Sequence, residues 1–151
     1  MMALLAPFPT EEWFDQLVTR ATVDEEAMVR LGIAELRLGI EIVEDDGEIE
    51  LYGLVLDGYD VESKGRVTEI TFAPEAILSG QRSTWDAMVA SIEMNGGADN
   101  ANTLNTLSIM GDALILRAPD AMGHDKFFRY MGTLQAIFDA AGQPEITSVS
   151  G

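Results

Sequence analysis

The sequence contains no cysteine, which excludes disulfides, thiolate metal sites and a cysteine nucleophile. Lysine is almost missing: Lys64 and Lys126 stand alone, and arginine supplies the rest of the nine cations. Against these stand 26 acidic residues, for a net charge of −17. Such a field repels phosphate backbones and anionic headgroups, so the composition argues against nucleic-acid binding and against direct binding to an anionic membrane. Histidine occurs once, as His124, and no His-Glu-x-x-His spacing exists to hold zinc. No Gly-x-Ser-x-Gly elbow is present, and no apolar run is long enough to cross a bilayer. Met1–Pro7 lacks the basic residue and the apolar length of a secretory leader. A cytoplasmic location is therefore expected, and the acid-rich, lysine-poor balance also suits a high-salt cytoplasm.

What is present suits one domain, residues 1–151, with a frayed tail from about 145 to 151. A chain of 151 residues buries roughly 70% of its unfolded surface, enough for a core without staples. Pro9 and Thr10 precede Glu11 and Glu12, and Trp13, Phe14, Leu17, Val18 and Ala21 follow at helical spacing. A second short helix is predicted from Asp24 to Gly32. The period then falls to two: Leu36, Leu38, Ile40 and Ile42 alternate with Glu35, Arg37, Gly39 and Glu41, the mark of a half-buried strand. Glu44-Asp45-Asp46-Gly47 is a hairpin signal. Asp45, Asp46 and Glu48 lack the rest of a calcium loop and read as a solvated turn. A second strand over 48–57 is apolar on both faces, and a third runs from about 62 to 72.

Pro74 is expected to open a helix over 75–80, and Ser83 to Met94 a further helix with Trp85, Met88, Val89 and Ile92 as its apolar stripe. The glycine–asparagine stretch 95–102 reads as a loop or lid. A last strand is predicted over 107–117. Asp120 then caps one closing amphipathic helix, carrying Phe127, Tyr130, Met131, Leu134, Ile137, Phe138 and Ala141 at helical spacing until Gly142 and Pro144 stop it. The fold class is α+β, a largely antiparallel twisted sheet covered by helices.

Four segments resemble the sterol carrier protein 2 family. They are Phe8-Pro9-Thr10-Glu11-Glu12-Trp13, then Thr68 to Phe72 with Pro74 to Gly80, then Ser108-Ile109-Met110-Gly111-Asp112, and Lys126-Phe127-Phe128 leading to Ile137-Phe138. The resemblance spans most of the chain. The tryptophan-bearing helix and the loop between Gly80 and Gly111 depart from it. It implies a carrier of a sterol, fatty acyl chain or acyl-CoA in an apolar tunnel between sheet and C-terminal helix. The lining candidates are Met88, Ile92, Met110, Leu114, Phe127, Met131, Leu134 and Phe138. Each also suits ordinary core, although methionine adapts well to varied apolar guests. No catalytic residue, cofactor or metal follows from this reading; a homodimer and a partner enzyme are both compatible with it. Two other readings stay open. One is a small ketosteroid-isomerase-like or cyclase-like enzyme with Asp112 or His124 as base, His124 being oriented by Asp112 or Asp125. The other is an accessory domain that docks on a partner enzyme through an exposed Trp85 helix.

Overall fold

The computed structural model describes residues 6–95 and 113–142. Two helices, α1 (Glu11–Thr22) and α2 (Glu25–Leu31), lead into the antiparallel strands β1 (Ala34–Val43), β2 (Ile49–Gly58) and β3 (Asp60–Arg66). A single helical turn, α3 (Glu69–Phe72), precedes β4 (Ala76–Gln81), α4 (Arg82–Asn95), β5 (Leu114–Arg117), α5 (Ala121–Arg129) and α6 (Met131–Asp139). Caps set these boundaries. The side chains of Thr10, Asp24, Thr68 and Asp120 accept from the N–H groups of Trp13, Ala27, Thr71 and Gly123, satisfying donors that a helix start leaves bare. Gly47, at φ 90°, closes the β1–β2 hairpin in a conformation that suits glycine.

The strands form one mixed sheet in the order β3-β2-β1-β4-β5. Every pairing is antiparallel except β1 with β4. The alternating pattern of β1 becomes two chemically distinct faces. Leu36, Leu38, Ile40 and Ile42 join Tyr52, Leu54, Leu56, Ala76, Leu78 and Leu114 in the main core, beneath Trp13, Phe14 and Leu17 of α1 and the apolar sides of α4, α5 and α6. The opposite face carries Arg37, Gly39 and Glu41 of β1, opposite Val55, Gly53 and Leu51 of β2. Here the short α3 segment lies across the sheet, because Gly53 has no side chain and the Phe72 ring fills that space. The Arg37 guanidinium stacks 4.3 Å from the Phe72 ring centre and its Nε donates to the Phe72 carbonyl oxygen at 3.0 Å. Glu11 of α1 accepts from the Arg66 N–H at 2.8 Å, which ties α1 to the outer strand β3, where unpaired groups would otherwise invite aggregation.

Three sequence expectations are corrected. Residues 75–80 were expected to form a helix, but Ala76–Gln81 is the strand β4, parallel to β1. Ala76, Leu78 and Gly80 alternate with Ile77, Ser79 and Gln81, a period of two that a six-residue window does not separate from a helical turn. The open edge of β1 decides it, since Glu75 and Arg37 exchange backbone and carboxylate hydrogen bonds at 2.8 and 2.9 Å where the strand begins. The third strand stops at Arg66 rather than near 72, because Thr68 caps α3. The single closing helix is two, broken at Tyr130 (φ −102°, ψ 14°), whose N–H is shared between the Lys126 and Phe128 carbonyls. The expected strand over 107–117 is present as Leu114–Arg117. Its first half, the 96–102 part of the expected loop and the 145–151 tail lie outside the described residues.

Candidate functional site

Two regions of the fold have the chemistry of a site, and they sit on opposite faces of the sheet. On the helical face, the fold gathers the expected lining residues. Met88 and Ile92 come from α4, Leu114 from β5, Phe127 from α5, and Leu134 and Phe138 from α6; all six are buried in one apolar cluster, with Met131 partly buried against it. Met110 lies outside the described residues. Trp85 stacks at 6.2 Å on Phe138, and its Nε1 donates to the Glu41 carbonyl oxygen at 3.1 Å. That bond satisfies the one polar atom of an indole that is otherwise wholly enclosed. Trp85 is 0% exposed, so the docking helix with an outward tryptophan is corrected: the indole faces inward because the sheet offers it both an apolar bed and an acceptor.

On the other face, the chain leaves β5, turns through Ala118–Asp120 and enters α5 beside the start of β4. This turn forms one wall of an open groove of about 650 Å³. Glu69, Ala73, Pro74, Glu75, Ile77, Arg117, Met122 and Gly123 complete its lining. Gly123 is required here, because a β-carbon would overlap the Glu75 carbonyl oxygen. Arg117 reaches Glu41 at 3.0 Å and Glu69 at 3.6 Å, while Ser79 donates to the other Glu41 oxygen at 2.7 Å. Lys126 donates to Glu75 at 2.7 Å. Burial alone would raise the Glu75 carboxyl, but the Lys126 hydrogen bond and the Arg37 N–H outweigh it and hold the group below the ordinary glutamate value. The same contact pushes Lys126 up.

The sequence did not single out this groove. Its defining pairs join residues far apart in the chain, and the helix expected over 75–80 put Glu75 on the wrong kind of element. Of the alternative catalytic residues, His124 is exposed on α5, 4.9 Å from the Phe128 ring, Asp125 is exposed beside it, and Asp112 lies outside the described residues. Among the described residues, no group of three or more histidines and carboxylates is placed to hold a metal, and no helix is long and apolar enough to cross a membrane.

No protein-family model matches the chain, and no curated protein matches it. Solved structures do. Sterol carrier protein 2 from Yarrowia lipolytica, in its apo form, superposes with a TM-score of 0.54 at 14% identity, over 95% of this chain and all of that one. A conserved hypothetical protein of Thermus thermophilus, regarded as a candidate sterol carrier, gives 0.57 at 14% identity over 93% and 91%. The chain therefore has the sterol carrier protein 2 fold, at a sequence distance where only the architecture is shared.

Proposed function

We propose that this protein is a non-catalytic carrier for an apolar ligand: a sterol, a fatty acyl chain or an acyl-CoA. The ligand is held between the sheet and the helices α4 to α6. The observation that carries this reading is the purely apolar cluster of Met88, Ile92, Leu114, Phe127, Leu134 and Phe138 under a layer of separate short helices, in a fold shared with a named sterol carrier. Met110 and Met131 complete the proposed lining. Entry requires these helices to part, and the break at Tyr130 divides the closing cover into two helices. Burying ~300 Å² of ligand at about 25 cal/mol per Å² supplies on the order of 7 kcal/mol before association costs, enough for micromolar retention. The protein works in the cytoplasm, either alone, as a homodimer or beside a partner enzyme that uses the cargo.

Native mass spectrometry of the purified protein, followed by denaturing extraction, tests this. A bound mass of a few hundred daltons, released on denaturation as a lipid or acyl species, is the expected result. A clean apo mass together with failure to bind a panel of fatty-acid and steroid probes overturns the proposal.

A further inference from the structure

Among the described residues, the buried polar side chains are Glu41, Ser91 and Thr133. Glu41 accepts from Ser79 and pairs with Arg117, and Ser91 has a partner. Thr133 is only 9% exposed, and its hydroxyl has no hydrogen-bond partner among the described residues. Its place in the chain gives the reason. A threonine inside a helix can donate to the carbonyl one turn back, as Thr19 and Thr22 do to Asp15 and Val18 at 2.9 and 2.8 Å. For Thr133 the equivalent carbonyl is that of Arg129, which lies on the far side of the break at Tyr130. The break removes the local acceptor and the hydroxyl stays inside.

Thr133 shares the buried face of α6 with Leu134, Ile137 and Phe138, in the cover of the proposed ligand space. A buried hydroxyl without a partner is costly and uncommon. Being both donor and acceptor, it matches a hydroxyl or a carbonyl equally well. An anionic head finds nothing comparable. All nine lysines and arginines fall within the described residues, and none is buried. Lys64, Arg82, Arg117 and Lys126 pair with carboxylates, Arg37 stacks on Phe72 across the sheet, and Arg20 donates to the Ala141 carbonyl. Arg30, Arg66 and Arg129 are exposed. A carboxylate or phosphate among the apolar side chains therefore lacks a counter-charge, which costs more than one hydrogen bond returns. The chain's net charge of −17 also repels it on approach.

We infer, resting on the carrier reading above, that Thr133 Oγ1 is the polar anchor of the ligand space and that the cargo is an uncharged lipid with a hydroxyl or carbonyl group. Apolar contacts supply the affinity. The Thr133 hydrogen bond fixes which end of the cargo lies at α6, and the absence of a buried cation rejects ionised heads. Of the ligands proposed above, this selects a sterol or a similar neutral alcohol or ester over a fatty carboxylate or an acyl-CoA.

The test titrates the full chain with decanol, decanoate and decane at about pH 7, where the carboxylate is ionised, and about 0.15 M salt to screen the diffuse field. Tryptophan emission reports binding, since Trp85 stacks on Phe138 in the same cluster. Decanol is expected to bind about tenfold more tightly than decanoate. Thr133→Val weakens decanol by about fivefold to tenfold, the loss of one hydrogen bond, and leaves decane unchanged, while Thr133→Ser keeps decanol binding. Unliganded Thr133→Val melts at or above the wild-type temperature, because no internal hydrogen bond is lost. The inference is overturned if decanoate binds as well as decanol, or if Thr133→Val binds decanol undiminished. It is also overturned if that variant weakens decane equally or melts markedly lower, either of which makes Thr133 a packing residue. Each of these results leaves the carrier reading standing, whereas failure of all three probes to bind removes the carrier reading and this inference with it.

Discussion

The Lys126 ammonium stands 2.7 Å from a Glu75 carboxylate oxygen, joining the helix that follows β5 to the residue that enters β4. The carboxyl lies below its ordinary value of 4.5 when folded. Its stabilising contribution is therefore complete above that value and is lost as pH falls through the folded one. Glu75→Gln is expected to cost about 0.2–1 kcal/mol at pH 7, the range of partly exposed ion pairs, and to cost less at pH 3. Urea unfolding of both proteins at the two pH values measures this; an equal gap at both would assign the cost to packing.

Two glycines hold the walls of the groove side in place. Gly123→Ala sets a methyl group against the Glu75 carbonyl, and Gly53→Ala sets one against the Phe72 ring. Backbone yields less than a ring, so Gly123→Ala is expected to be the more damaging. Both fall in the range of about 1–3 kcal/mol typical of overpacking. Thermal unfolding of the two variants gives the order directly.

Trp85→Phe removes the bond from Nε1 to the Glu41 carbonyl while keeping most of the ring. The expected loss is about 1–3 kcal/mol, because the carbonyl is left without this donor inside the core. Trp13 is 1% exposed and Trp85 0%, so native emission is expected at short wavelength, shifting red on unfolding. A native spectrum already at the wavelength of free tryptophan contradicts both burials.

Leu134→Trp fills the proposed ligand space from α6. The ligand-bound fraction seen by native mass spectrometry is expected to fall sharply, with a stability change of about 1–3 kcal/mol from overpacking. Ile49→Trp, at a residue 57% exposed on β2, is the matched control and leaves the bound fraction unchanged. If the two variants retain ligand equally, the cargo does not lie on the helical face.

The elements written in local pattern were legible from the chain alone. The alternation from Leu36 to Ile42, the Asp46-Gly47 turn, the Thr10, Asp24 and Asp120 caps and the stripe through Trp85, Met88, Val89 and Ile92 each need only neighbours within a few residues. The apolar cluster was legible for the same reason: residues at i, i+3, i+4 and i+7 must share a face, and that face must be covered. Tertiary structure alone decided the rest. Ala76–Gln81 is a strand because β1 offers a free edge beside it. Phe72 ends its helix over Gly53 because a vacant position on another strand receives it. The groove exists because Glu75 meets Lys126 and Gly123, and Arg117 meets Glu41, contacts between residues dozens of positions apart. No periodicity records such pairs, because their energy is gained only after the sheet has assembled.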